Sequence, residues 1–372
     1  MILISMDGFR HDYIEMVKKK RGNHSLPAFD RIITRGVRVE SCENAYPTIT
    51  APNHHTIVTG LYPESHGIIA NTIWDWSYPH DYFNLDDQAS LDLAHWLPNQ
   101  HFSVAPIWTE IYQAGFIQSE YGTLNEADKN SMRYEKRVER VLRWLTDARE
   151  PADFVMLYFE EPDSTGHAYG PESEQLADVV VRLDRLLGML LEGLDSFNLQ
   201  VDLILTADHG MTQLSEQKMI HLNRCLRPDT YNYTWLSTSG FIYSRLPEYY
   251  EQVYKNLTDC HPKMSTFPVT KVPKEENFDR VSANRRPEFV VMAQPGWVIV
   301  TTDSHTLPVA GNHGYSVKDR DMNPILVFHG PSFRENYSIA AMRSVDIYPT
   351  IAHLFNLHPH PNNGSLNKLI FK

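Results

Sequence analysis

Six short apolar runs dictate the architecture open to this chain. Ile2 to Ser5, Phe154 to Phe159, Val201 to Ala207, Phe289 to Ala293, Trp297 to Thr301 and Ile325 to Phe328 each have the length and composition of a buried strand. Between them the apolar residues recur at helical spacing. Val138, Val141, Leu142 and Leu145 share one face, and Leu176, Val180, Leu183, Leu187, Leu190 and Leu194 make a longer stripe. Strands alternating with amphipathic helices predict an α/β fold with a largely parallel central sheet covered by helices on both faces. No internal repeat, low-complexity stretch or Ser/Gly-rich linker interrupts the 372 residues, so one continuous domain over 1–372 is the simplest organisation.

Ligands of such sheets gather outside the carboxyl ends of the strands, so the polar residues that end each run carry the functional information. Asp7 follows the first run, Asp163 and His167 follow the second, and Asp208 and His209 follow the third. His313 sits in the glycine-bracketed Gly311-Asn312-His313-Gly314-Tyr315 before the last run. Each piece alone has an ordinary structural reading: a turn at Asp7-Gly8, a helix start at Asp208-His209-Gly210, a loop histidine at His313. Delivered together to one end of one sheet, these aspartates and histidines are ligands enough for two metal ions. Imidazole with carboxylate suits zinc better than magnesium or calcium, which prefer all-oxygen shells.

Charge agrees with local metal chemistry. A net charge of −12 repels polymeric nucleic acid and anionic membranes at long range, so any phosphate must be held locally, most directly by cations. No run approaches the ~20 apolar residues of a membrane span. Membrane attachment is therefore expected only through a segment outside this chain. Met1 to Ser5 reads as a core strand and lacks the features of a signal peptide.

Between the first two ligand groups, Pro52 suits the first turn of a helix and Gly60 its end, which places the N-cap at Thr50 or Ala51. Thr50 has two readings. Its hydroxyl caps the helix, or it is a metal-activated nucleophile facing the positive end of the helix dipole.

Cys225 and Cys260 can close one disulfide, leaving Cys42 free or paired outside the chain; three reduced thiols are the alternative. Sequons at Asn23, Asn232, Asn256, Asn336 and Asn363 favour secretion.

The segments Met6-Asp7-Gly8-Phe9-Arg10, Tyr46 to Asn71, Tyr158 to His167, Thr206 to Met211 and Gly311 to Tyr315 resemble, in order and nearly end to end, the catalytic domain of the ectonucleotide pyrophosphatase/phosphodiesterases of the alkaline phosphatase superfamily. The resemblance implies an alkaline phosphatase-like fold and an extracellular or cell-surface enzyme acting on nucleotides or dinucleotides such as NAD, ATP and ADP. It implies one zinc on Asp163, His167 and His313, and another on Asp7, Asp208, His209 and the Thr50 hydroxyl. Thr50 would form a phosphothreonine intermediate, and Asn71 would donate to a phosphoryl oxygen. Tyr158 and Tyr121 are the further substrate-binding candidates, although Tyr121 reads equally as an ordinary half-buried tyrosine. The aromatic loop Trp74 to Tyr82 is a further candidate lining. Many nucleotide-cleaving relatives carry Lys-Thr-Phe where this chain has Ile49-Thr50-Ala51, so one wall of their base slot is missing. Choline phosphodiesters or lysophospholipids are an alternative substrate class. A cell-surface interaction protein with a vestigial site is an alternative of a different kind.

Overall fold

Ile2, Leu3, Ile4 and Met6 are buried on both faces of the first strand, the environment an unbroken apolar run requires. The structure, a computed structural model, describes residues 1–76, 82–84, 107, 134–302 and 309–372. Its main strands are β1 (Ile2–Met6), β2 (Gly36–Val39), β3 (Val155–Phe159), β4 (Leu203–Thr206), β5 (Tyr231–Leu236), β6 (Ser239–Ser244), β7 (Met264–Pro268), β8 (Phe289–Ala293), β9 (Leu326–His329) and β10 (Tyr337–Ile339). The main helices are α1 (Tyr13–Arg21), α2 (Pro27–Thr34), α3 (Thr50–Thr59), α4 (Tyr134–Leu145), α5 (Asp163–Tyr169), α6 (Glu174–Ser196), α7 (Tyr250–Thr258) and α8 (Ile347–Leu354).

The central sheet has six strands in the order β10-β2-β9-β4-β1-β3. β1 runs parallel to both neighbours, with Ile2 opposite Val155 and Leu203. β9 runs antiparallel to β4 and β2. Helices cover both faces, as the alternation of strands and helices predicts. On one face α1, α2, α4 and α6 pack their stripes against Ile2, Ile4, Val155, Leu157, Leu203 and Leu205. On the other, Ile57 and Val58 of α3 and Ile347, Tyr348 and Ile351 of α8 pack against Leu3, Ile204, Leu326 and Phe328. Burying each such side chain stabilises the fold by roughly 1.5–3 kcal/mol, so the site rests on a stiff platform. The 23-residue α6 starts at Ser173, whose hydroxyl accepts the Leu176 N–H at 3.1 Å.

Two of the six runs lie elsewhere. β8 belongs to a second, four-stranded antiparallel sheet, β5-β6-β8-β7. Val298–Val300 pairs in parallel with Met219–His221. An apolar run records burial, not the identity of its partner. Cys225 and Cys260 are disulfide-bonded and Cys42 is a buried free thiol.

Because β1, β3 and β4 are parallel and in register, they end side by side at Met6, Phe159 and Thr206. The antiparallel β9 begins at that same end, with Leu326 opposite Thr206, so the loop preceding it arrives there too. The topology thus gathers Asp7, Asp163, Asp208 and His313 at one rim.

Candidate active site

Main-chain hydrogen bonds lock the strand ends together before any side chain is considered. The Asp7 N–H donates to Phe159 O at 2.9 Å, and the Asp163 N–H to Asp7 O at 3.0 Å. The Gly8 N–H donates to Asp208 Oδ1 at 3.1 Å. Gly8 holds φ +67°, and a Cβ there would lie 2.9 Å from Asp163 Cα, so a glycine is needed for this approach.

Asp163 opens α5 and His167 follows one turn later, so both face the same way. Each histidine is anchored by the main chain. His167 Nδ1 donates to Gly311 O (2.9 Å), His209 Nδ1 to Gly210 O (2.9 Å) and His313 Nδ1 to Thr48 O (3.0 Å). A carbonyl only accepts, so each Nδ1 carries a proton, which leaves Nε2 as the nitrogen that can face a metal ion.

Those Nε2 atoms converge on carboxylates. His209 Nε2 lies 3.1 Å from Asp208 Oδ2, 3.5 Å from Asp7 Oδ1 and 3.4 Å from Thr50 Oγ1. His313 Nε2 lies 3.5 Å from Asp163 Oδ1 and 3.1 Å from His167 Nε2. The His209 and His313 rings stack at 3.5 Å. Asp7 Oδ1, Asp163 Oδ1 and Asp208 Oδ2 are buried without a hydrogen-bond partner.

Electrostatics tell the same story. Burial, then the charges of Asp208 and Asp163, hold the Asp7 carboxyl well above the usual range. Burial raises Asp163 as well. Burial also opposes charge on Asp208 and His209, but their mutual attraction outweighs it, lowering Asp208 and raising His209. Burial, followed by His209 and His167, pushes His313 well down. Lone pairs facing lone pairs and unpartnered buried carboxylate oxygens are stable together only around positive charge.

Two sets of donors fit a metal ion: Asp7, Asp208 and His209, and Asp163, His209 and His313. His209 belongs to both, whereas the resemblance assigns it to one. His167 joins the second set through its contacts with His313 and Asp163.

Thr50 is the first residue of α3 and Ile49 is the N-cap, one residue earlier than expected. The Thr50 hydroxyl faces His209, and a different side chain serves the helix start: Asn71 Oδ1 accepts the Ala51 N–H at 2.9 Å. With Oδ1 so engaged, the remaining polar group of Asn71 is its amide NH₂, a donor. Tyr158, assigned to substrate from sequence, donates its hydroxyl to Asp7 Oδ2 at 2.5 Å while the residue as a whole is 39% exposed. Tyr121 and residues 77–81 of the aromatic loop lie outside the described residues; Trp74 packs near Trp76 with ring centroids 5.7 Å apart.

One neighbour escaped the sequence reading. His54 lies one turn after Thr50, with Nδ1 3.0 Å from Thr50 O and 3.5 Å from Asp208 Oδ2, and Nε2 2.9 Å from Ser5 Oγ. Its i, i+4 spacing from Thr50 was the available signal.

A mostly parallel α/β sheet whose rim presents clustered aspartates and histidines beside a helix-borne hydroxyl defines an alkaline phosphatase-like hydrolase of phosphate esters. Residues 1–316 match the Type I phosphodiesterase / nucleotide pyrophosphatase family. The chain is 36% identical to human ectonucleotide pyrophosphatase/phosphodiesterase family member 5, over 98% of this chain and 76% of that protein. It is 34% identical to human bis(5'-adenosyl)-triphosphatase ENPP4, over 98% of this chain and 80% of that protein. The solved structure of murine ectonucleotide pyrophosphatase/phosphodiesterase 5 superposes with a TM-score of 0.88 at 34% identity, covering 98% of this chain and 97% of that one. An inactive threonine-to-alanine form of the murine protein, in complex with AMP, gives the same TM-score of 0.88. This chain belongs to the type I phosphodiesterase / nucleotide pyrophosphatase family, whose members are metal-dependent hydrolases.

Proposed function

We propose that this chain is a zinc-dependent ectoenzyme, with residues 1–372 forming one catalytic domain. It would hydrolyse phosphodiester and phosphoanhydride bonds of nucleotides or dinucleotides such as NAD, ATP and ADP, and release a nucleoside 5′-monophosphate. The observation that carries the reading is the approach of Thr50 Oγ1 to His209 Nε2, at 3.4 Å, where the two ligand sets meet. Neutral imidazoles with carboxylates form a borderline-soft donor set, which favours zinc. Two such ions on Asp7, Asp208, His209 and the Thr50 hydroxyl, and on Asp163, His167 and His313, would neutralise charge on the attacking and leaving oxygens.

Thr50 supplies the nucleophile. Its oxygen bonds to phosphorus as the leaving group departs, giving a phosphothreonine that water then hydrolyses. Asn71, oriented by its bond to the Ala51 N–H, donates its amide to a phosphoryl oxygen. The Tyr158 hydroxyl holds Asp7 while the residue's exposed part borders the substrate. Tyr121 remains the proposed stacking partner for the base. The relatives support the substrate class: one is named for a bis-adenosyl triphosphate, and another binds AMP in an inactive threonine-to-alanine form. The described contacts of the cluster include no lysine or arginine, so a dianionic monoester should be a poor substrate. The Cys225–Cys260 disulfide and the exposed sequon residues Asn23, Asn232, Asn336 and Asn363 support an extracellular, glycosylated protein. No helix among the described residues is long and apolar enough to cross a membrane.

The test compares rates on NAD, ATP, a chromogenic nucleoside monophosphate ester, a phosphocholine ester and an aryl phosphate, for the wild type and Thr50→Ala. Nucleotide cleavage lost in Thr50→Ala, and kept in part by Thr50→Ser, is the expected pattern. Faster turnover of the phosphocholine ester would refute the nucleotide assignment, and an active Thr50→Ala would refute the nucleophile.

A further inference from the structure

The structure assigns His54 as a positioning residue that sets the Thr50 nucleophile against Asp208; the inference rests on the reading of Thr50 above. His54 touches three separate elements that must stay in register for the site to work. Its Nδ1 is 3.0 Å from Thr50 O on α3 and 3.5 Å from Asp208 Oδ2 beyond β4, and its Nε2 is 2.9 Å from Ser5 Oγ on β1. Thr50 O only accepts, so Nδ1 carries a proton, and Nε2 pairs with the Ser5 hydroxyl. The imidazole is thereby fixed at both nitrogens, and its face packs edge-on with Tyr158 at 5.4 Å between centroids. Tyr158 in turn donates to Asp7. One ring therefore links the nucleophile's own peptide unit to both carboxylates of the Asp7/Asp208 ligand set.

The bond to Thr50 O has a particular consequence. Within α3 that carbonyl accepts the His54 N–H in the normal helical pattern, so the side chain adds a second donor to the same oxygen. This adds a restraint to the first turn, where Asn71 already accepts the Ala51 N–H and Ile49 O the Asn53 N–H. The first turn is also where the hydroxyl must hold a line of attack on phosphorus. A displacement of ~1 Å there costs on the order of 10²-fold in rate.

Asparagine places an amide NH₂ near the position of Nδ1, whereas glutamine reaches toward Nε2 and loses the bond to Thr50 O. His54→Asn and His54→Gln are both polar and both compatible with a helix, which separates position from mere folding. Each variant, with Thr50→Ala as reference, is assayed for kcat and KM on a chromogenic nucleoside monophosphate ester, for bound zinc, and for thermal unfolding. Expected are a fall of roughly 10- to 100-fold in kcat for His54→Gln with KM within about twofold, unchanged zinc content, and recovery in His54→Asn to within about fivefold of wild type. Equal kcat for the two variants, a loss that follows zinc content or melting temperature, or wild-type kcat in His54→Gln would overturn the assignment. Retained turnover in Thr50→Ala would instead remove the nucleophile reading, and this inference with it.

Discussion

Gly8→Ala should disable the site out of proportion to its effect on stability. At φ +67° an alanine is strained by about 1–3 kcal/mol. Its Cβ would also stand 2.9 Å from both Cα and Cβ of Asp163 and 3.0 Å from Oδ1. Relieving that overlap by moving the Asp163 backbone costs roughly a further 1–3 kcal/mol, as overpacking generally does. The displaced residue is a proposed ligand whose N–H is bonded to Asp7 O, so the shift pulls on both donor sets. Gly22→Ala is the control: φ is +97° but a Cβ would meet nothing within 4 Å, so only the strain remains. Urea unfolding, zinc stoichiometry and turnover are measured for both. The expected result is a loss of stability in both variants, with zinc lost and turnover down on the order of 10²-fold only in Gly8→Ala. If Gly8→Ala kept wild-type zinc and turnover, the argument from close approach would be wrong.

Chelation should abolish activity, with zinc restoring it better than magnesium; full turnover after prolonged dialysis against EDTA would contradict the donor-set argument. Native protein should show no reactive thiol, and one after unfolding without reductant, because burial pushes the Cys42 thiol up to about 12 while Cys225 and Cys260 are paired. Mass spectrometry of alkylated, unreduced protein counts them. Replacing both half-cystines with serine should cost about 3–4 kcal/mol for a loop of 35 residues' separation, read by denaturant melts. Burial pushes the Asp184 carboxyl up to about 6, above its usual 3.8, although it accepts the Phe29 N–H at 2.8 Å. The folded state therefore holds that proton more tightly, and stability falls as pH rises from about 4 to about 6. Asp184→Asn, which keeps the acceptor, should be stabilised relative to wild type at neutral pH and not at about pH 4; an equal difference at both would refute this.

Much of the site is legible in the sequence because ligands sit where strands stop, and strands are visible as apolar runs. Asp7, Asp163, Asp208 and His209 follow from that rule, and the α6 stripe from its period. Pairing is not visible in this way: nothing in Ile325 to Phe328 says that β9 runs antiparallel, or that β8 joins another sheet. The second layer of the site is hidden for a related reason. His54, the Asn71 cap and the bond from Tyr158 to Asp7 are contacts between distant segments, and a side chain's type does not name its partner.

The three histidines of the cluster, His167, His209 and His313, have Nδ1 held by carbonyls of Gly311, Gly210 and Thr48, not by neighbouring side chains. Which nitrogen carries the proton is thus written into the backbone trace, beyond the reach of most point substitutions. The proposed substrate edge enjoys no such protection: the exposed Tyr158 presents a side chain that a single codon can replace, whereas Ile49 and Ala51 are buried in the core. A scaffold so divided keeps its ring tautomers fixed by the main chain while an exposed side chain at its edge is open to change, so substitutions there should alter recognition before they alter the cluster.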